Sequence, residues 1–515
     1  MLDIKKLNGE KLHSTILNIA CAFILLQPIF DLLSFLQNEG YISIGISTLT
    51  KPLIIGLINV VLLLVYKKQI PNCAITYGGY LILMIVHTML LKGMLIENSV
   101  ILHEIRFMIN ILYLLLCYHD MRILYEEAPK KEVYFSRVKK ALLAAFALYS
   151  FLYLLSISTG TSGLTYGHSD HLKQGFKGWN HSGQIFGHAL CIFLPFIICT
   201  LLNAKVKKPI FKILYKAAVF VPVIVLCLIG TKVSYYISII VVAVQVILEL
   251  FFAIKDKKAS HLINAAICLV CVSACVLAYP ITPVKINTDI NNSVLSTQPD
   301  SSVITQLMQE EANKHKIDST TLDFMNDETN SPSSDDTSSD KQDANKKLSE
   351  AEKNAKWTAN ALAVIKQKYM SGELHPSDMR NRQLCFNWEK FKQADWEYKL
   401  FGIGYVIHGD MAIERDVLCI LFCFGILGFV LVLLRPILLW IKSLFIFLRH
   451  PLKVKIDALC LFEGFSMFFF ISYYAGATFI YTNFSIFLAV IMCLLAHRIN
   501  NKKPILTNKR QGLTE

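Results

Sequence analysis

The stretch KLFGIGYVIHGDMAIERDVLCILFCFGILGFVLVLL sets His408, Glu414, Arg415 and Asp416 directly before an apolar run long enough to enter a membrane. A Gly402-x-Gly404 turn lies just upstream. Charges this close to lipid are either snorkelling anchors or parts of a site. Arg415 suits an anchor, because its long stem lets the guanidinium reach the interface. Glu414 and Asp416 do not, since carboxylates have short stems and gain nothing from anionic head groups. Two readings remain for that pair: a role in a site, or charge capping of the helix that follows.

Gly230-Thr231-Lys232 is a second candidate. Two apolar stretches meet there with almost nothing between them, so Lys232 is a cation held at a membrane surface by two helices at once. It is either an anchor or a phosphate contact, an ammonium beside helix N–H groups that also favour an anion. Four more ionisable residues fall inside apolar runs, namely Asp31, Glu104, Arg106 and Glu463, and such groups usually face a bundle interior or an aqueous cavity. Asp31 and Arg106 stand at comparable depth, which allows an ion pair or a substrate path lined by both. Glu463 is expected to hydrogen-bond a neighbouring helix. His168, His171 and His181 follow no standard zinc spacing, so their Gly-rich loop is read as lining an external cleft. Cys268 and Cys271 form a CxxC within an apolar run with no second pair nearby, and read as packing residues.

The elements that must carry these residues follow from composition. The chain has 515 residues, 54% hydrophobic and only 17% charged, with a mean hydropathy of +0.47. A soluble protein carries nearer a quarter charged residues. Apolar runs of about 20 residues, the length that crosses a bilayer, recur near 15–37, 50–66, 75–93, 99–118, 140–158, 184–203, 210–230, 232–253, 262–280, 415–434, 456–473 and 477–497. The expected fold is an all-α polytopic membrane protein of about twelve transmembrane helices, and the lipid bilayer is its first partner. No cleavable signal peptide is evident. The connections at 67–69, 121–140, 204–216, 255–258 and 435–455 are basic, as are both termini, and alternate connections are not. That pattern places both termini in the cytoplasm. It also accounts for the net charge of +13 without any nucleic acid. Of the 14 cysteines, Cys385 alone falls in a clearly external loop, so no disulfide framework is expected.

One connection, 281–413, dwarfs the others and lies on the outer face between helices 1–9 (residues 1–280) and helices 10–12 with a basic tail (residues 414–515). Its part from about 287 to 345, with NSPSSDDTSSD, is too polar to bury a core and is expected to be disordered. Residues 346–394 are expected to be helical. An amphipathic helix runs over 346–370, with Trp357, Leu362, Ile365 and Met370 on its apolar face, and a second runs over 381–394 after the breaker HPSD.

The order KGWNHSGQ, GTK at an external hairpin, one large external loop, then KLFGIGY…IERD before FGILGF resembles the O-antigen ligase and Wzy-type polysaccharide polymerase family. The motifs cover residues 175–440, and the members that build Gram-positive capsule and cell-wall glycan look closest. The resemblance implies a multi-span membrane glycosyltransferase with its site on the extracellular face of the cell membrane. Its donor would be a polyprenyl-diphosphate-linked oligosaccharide, such as an undecaprenyl diphosphate, with a growing glycan as acceptor. No nucleotide sugar or metal cofactor would be required. A flippase and a chain-length regulator are further partners it implies. Carried across, the basic residue of the family's hairpin falls on Lys232, and its loop-helix arginine on Arg382, with Arg380 as the competing alignment. The Gly-rich turn falls on Gly402 and Gly404, and the histidine on His408, followed here by Gly409-Asp410 rather than Asn. The acidic pair falls on Glu414 and Asp416, and the family's usual Asn at the sixth span is Gln184 here.

The chemistry of such a transfer fits those positions. A diphosphate leaving group needs cations where charge develops, Lys232 and Arg382. A sugar hydroxyl is a poor nucleophile and needs a general base, for which His408, Glu414 and Asp416 are candidates. Nothing forces a covalent intermediate, so inversion at the anomeric carbon is expected. Polymerase and ligase share this machinery and differ in the acceptor. Twelve spans also suit a transporter or flippase of lipid-linked glycan, though a loop of this length is unusual for a carrier. A sensor or scaffold would leave Lys232 and the Gly-rich turn without a purpose.

Overall fold

The computed structural model describes residues 2–43, 45–94, 96–166, 173–296, 301–314, 349–476 and 482–500. The helices in chain order are α1 (Leu2–Leu25), α2 (Gln27–Asn38), α3 (Ile46–Val65), α4 (Ile70–Gly93), α5 (Asn98–Glu126), α6 (Lys131–Ser158), α7 (Gly183–Leu202), α8 (Pro209–Ala217), α9 (Phe220–Leu228) and α10 (Lys232–Asp256). They continue with α11 (Ala259–Ala278), α12 (Pro283–Leu295), α13 (Ser301–Lys314), α14 (Glu350–Met370), α15 (Met379–Gln393) and α16 (Trp396–Phe401). The last are α17 (Asp416–Cys423), α18 (Gly425–Arg449), α19 (Ile456–Tyr474) and α20 (Thr482–Asn500). Two short strands, β1 (Gly163–Leu164) and β2 (Phe176–Gly178), pair antiparallel between α6 and α7.

Among the described residues nine helices are long and apolar enough to cross a membrane, and the pair α1–α2, bent by 43°, makes a tenth. The remaining two expected spans appear as shorter apolar helices, Leu49–Val65 and Phe484–Asn500. The chain is therefore a polytopic integral membrane protein, with nine or ten helices among the described residues long and apolar enough to span. The expected span 415–434 is divided, because α17 ends at Cys423 and the long apolar helix is α18, which carries Arg435 inside it rather than in a basic loop.

The fold has two compact units. The first comprises residues 1–74, 110–290 and 434–515. Its centre is α7, apolar all round and therefore buried, against which α10, α19 and α20 pack. Asp31 is buried here. It pairs with Lys51 at 3.2 Å and accepts the Tyr149 hydroxyl at 2.5 Å, so both carboxylate oxygens are satisfied within this unit. Lys51 itself is only 1% exposed, and the ion pair is what keeps two buried charges tolerable. Glu463 differs from expectation, since neither carboxylate oxygen has a hydrogen bond among the described residues.

The second unit comprises residues 75–109 and 291–433. Its extramembrane core joins α13, α14 and α15 through Ile304, Met308, Ala312, Leu362, Ile365 and Phe386. Within the stretch 287–345, expected to be disordered, the described residues form the end of α12 and all of α13. The reason is visible in α13: Ile304, Met308 and Ala312 recur every four residues and form one apolar stripe against α14. The remainder of that stretch, 315–348, lies outside the described residues.

Candidate functional site

In the second unit the Gly-rich turn lies on the break between α17 and α18. With Phe424 and Gly425 leaving the helical path, the carbonyls of Phe422 and Cys423 lose their usual partners. The N–H groups of Ile403 and Gly404 take those partners' place at 3.0 and 3.2 Å. Gly402 adopts φ +97°, ψ 158°, a region open essentially to glycine alone, and a Cβ there would strike the Cys423 carbonyl. Gly404, at φ +86°, completes the reversal.

Two groups from apolar helices clamp either side of this turn. Glu104 of α5 accepts from the N–H of Tyr405 at 2.9 Å and of Val406 at 2.6 Å, and His87 of α4 stands 3.2 Å from the same carboxylate. The other ring nitrogen of His87 reaches the Phe401 carbonyl at 2.9 Å. The Phe107 and Tyr405 rings stack at 4.1 Å. Charge-assisted bonds of this kind, made away from water, are among the stronger ones. Glu104 is thus a positioning group for the segment that follows.

That segment, 405–416, is held from its other side by α15. Gln383 donates to the Asp410 carbonyl at 3.1 Å and accepts from the Glu414 N–H at 3.4 Å, while Asn387 donates to the Met411 carbonyl at 2.7 Å. His408 is fully buried with its ring edge-on to Phe386. Glu414 is half-exposed and receives Arg380 Nε at 3.3 Å, and Arg415 donates to Asn381 at 2.8 Å. Asp416 is buried at the first position of α17, where the helix N-terminus favours its anion. Arg382 lies beside the Tyr369 hydroxyl, whose pKa burial pushes up and this guanidinium pulls back down. Its Nε is buried and makes no hydrogen bond among the described residues.

A cavity of about 630 Å³ opens between α13, α14, α15 and the 406–410 segment. His408, Asp410, Glu311, Lys314, Asn354 and Lys390 are among its lining residues. Lys314 bridges Glu311 at 3.2 Å and Asp410 at 2.8 Å, and these bonds hold its pKa above the ordinary value. Lys390 is buried, donates to Asn354 Oδ1 at 2.9 Å and has no carboxylate partner among the described residues. Burial, opposed by Cys423, brings its pKa down to about 7.

Lys232 belongs to the first unit. It is exposed and opens α10 behind Thr231, whose hydroxyl caps the helix by accepting from the Ser234 N–H at 3.3 Å. The preceding turn is tied to the hairpin connection. Thr165 donates to the Ile229 carbonyl at 2.7 Å, and Asn287 bridges the carbonyls of Gly230 at 2.9 Å and Gln174 at 2.6 Å. Gln184, in the first turn of α7, donates to the Ala475 carbonyl at 3.3 Å. His181 accepts or donates across 2.6 Å to Asn38, and burial lowers its pKa. His168 and His171 lie outside the described residues. Arg106, in the second unit, is on an exposed face of α5, while Glu104 two residues earlier is buried.

The sequence brings forward the residues on the 402–416 segment and marks Glu104 as a charge out of place, but it gives no sign of His87 or of what Glu104 holds. His87 and Glu104 act across about 300 residues of chain, and no local pattern reports such a contact. The buried face of α15 had a signal: Gln383, Phe386, Asn387 and Lys390 follow the i, i+3, i+4, i+7 spacing of one helix side. No curated protein and no solved structure matches the chain. Residues 14–502, nearly the whole sequence, match the sequence model of the family described as O-antigen ligase like membrane protein. The chain belongs to that family, which makes it an integral membrane enzyme of the glycosyltransferase type that acts on lipid-linked glycans.

Proposed function

We propose that the chain transfers an oligosaccharide from a polyprenyl-diphosphate-linked donor to a sugar hydroxyl on the outer membrane face, lengthening a capsular or cell-wall polysaccharide by repeat units. The observation that supports this reading best is the 402–416 segment. It is fixed by Glu104, Gln383 and Asn387, and it carries His408, Glu414 and Asp416 beside a helix that bears Arg380 and Arg382. In the reaction the acceptor oxygen attacks the anomeric carbon. The bond from that carbon to the diphosphate oxygen breaks, and its electron pair leaves with the diphosphate. Arg382, seconded by Arg380, stabilises the charge that develops there. His408, Glu414 and Asp416 are candidates for taking the proton. A single displacement inverts the anomeric centre and needs neither nucleotide nor metal. Lys232 is assigned a phosphate contact on the first unit, at the start of α10. Gln184 and Arg106 are assigned to the substrate path.

The test is the length distribution of surface glycan and of lipid-linked glycan in cells lacking this protein, beside cells complemented with wild type, Arg382→Ala or Lys232→Ala. Loss of long chains with single lipid-linked repeats accumulating outside supports a polymerase. Long lipid-linked chains that never reach a final acceptor replace it with a ligase. Repeats retained on the cytoplasmic leaflet contradict transfer and point to a transporter.

A further inference from the structure

We infer that the cavity between α13, α14, α15 and the 406–410 segment is the acceptor-sugar subsite, and that Lys390, as a neutral amine, is the group that takes the acceptor hydroxyl's proton. This rests on the transfer reading above and names a base that the family resemblance does not point to.

The cavity has the volume of a small-ligand site, about 630 Å³. Its lining is apolar along Met94, Ile96 and Val100, with polar groups converging from the opposite elements, which is how a sugar ring and its hydroxyls are held. Lys390 is 2% exposed, sits on the cavity wall and spends one of its donors on Asn354. A buried ammonium with no carboxylate partner among the described residues is costly, and the usual relief is to lose the proton. The titratable groups facing it are Glu97, from the connection before α5, Glu311 and Lys314 of α13, and His408 and Asp410 of the clamped segment. Cys423 at the helix break opposes the loss. A lysine whose free base is populated near neutral pH is matched to proton abstraction from a hydroxyl.

The other carboxylates are worse placed for that step. Glu414 is engaged by Arg380, and Asp416 is buried in the first turn of α17 and does not line the cavity. The lining also selects among sugars. Three carboxylates against Lys314 and a neutral Lys390 accept hydroxyl donors and repel an acidic sugar. In balance, the acceptor O–H proton moves to Lys390 Nζ as the new glycosidic bond forms. The electron pair of the broken bond departs on the diphosphate, and the ammonium returns its proton to water.

The experiment uses the full chain in lipid nanodiscs with a polyprenyl-diphosphate-linked oligosaccharide as donor and acceptor. Lys390→Met is expected to lose transfer by at least about a hundredfold, and methylamine or ethylamine to restore part of it in proportion to the free-base concentration. Lys390→Arg is expected to stay inactive, because guanidinium does not give up its proton. Ala355→Trp, which fills the cavity from the exposed side of α14, is expected to raise the acceptor KM with little change in kcat. An active Arg variant, an active Met variant, or loss that no amine rescues overturns the base assignment. Should wild type transfer nothing, the transfer reading has failed. The subsite is then judged by competitive acetylation of Lys390 in the resting protein. A titration near pH 7 with protection by N-acetylglucosamine and not by glucuronate upholds the cavity, and an ordinary lysine titration without protection refutes it.

Discussion

Glu104 is a carboxylate in an apolar helix, and its two backbone donors and His87 explain why it is there. Replacing it by Gln turns one acceptor oxygen into an N–H₂ group facing backbone N–H donors. Leaving such a buried donor unmatched costs about 1–3 kcal/mol. Glu104→Gln is therefore expected to lower the unfolding midpoint and to cut transfer at least about tenfold, as read by thermal denaturation and by repeat-unit turnover. Lys390 gives a second residue-scale prediction through pH. Its folded pKa, about 7, lies below the ordinary lysine value because of burial. Between those two values the unfolded chain binds the extra proton, so stability rises with pH across that window, by up to about 1.4 kcal/mol per unit. Below pH 7 both states are protonated and the burden is constant. The stability advantage of Lys390→Met over wild type should accordingly shrink from pH 7 to pH 9, and a constant difference would contradict the buried neutral amine. At this scale the sequence exposed residue types but not partners. Asp31 was legible as an anomaly, yet its partner Lys51 looked like an ordinary charge at the edge of a span.

At the scale of elements, α14 was legible because it carries an apolar stripe at helical spacing, and α15 because it follows the breaker HPSD. In contrast, α13 was hidden by its Ser, Gln and Glu content, although three apolar positions four residues apart suffice to seat it on α14. The break between α17 and α18 was obscured for another reason. The apolar run is continuous, and only tertiary hydrogen bonds from the glycine turn make it favourable to interrupt the helix there. Those bonds define a prediction for the turn itself. Gly402→Ala places a Cβ against the Cys423 carbonyl in a backbone region that side chains avoid. The strain is about 1–3 kcal/mol before any clash, so folded yield and transfer should both fall sharply. Unchanged transfer by Gly402→Ala would show that the turn does not depend on this conformation.

For the whole molecule, hydropathy made the membrane class readable, while the bends and lengths of individual helices were not. Bending at α1–α2, shortening at α3 and α20, and the division of the expected tenth span all depend on packing rather than on apolar length. The sidedness drawn from loop charge has a direct test in intact cells. A membrane-impermeant maleimide should label a cysteine placed at Glu373, within the large loop, and should leave one placed at Lys257 unlabelled. The reverse pattern would turn the protein over and move the proposed chemistry to the cytoplasm. The central claim is glycosyl transfer from a lipid diphosphate, and purified full-length chain in nanodiscs with a single defined polyprenyl-diphosphate oligosaccharide measures it most directly. The account predicts one free polyprenyl diphosphate released for each lengthened lipid-linked glycan, with the new linkage inverted at the anomeric carbon and the yield abolished by Arg382→Ala. Intact donor after long incubation, or release of lipid diphosphate with no lengthened glycan, would contradict it.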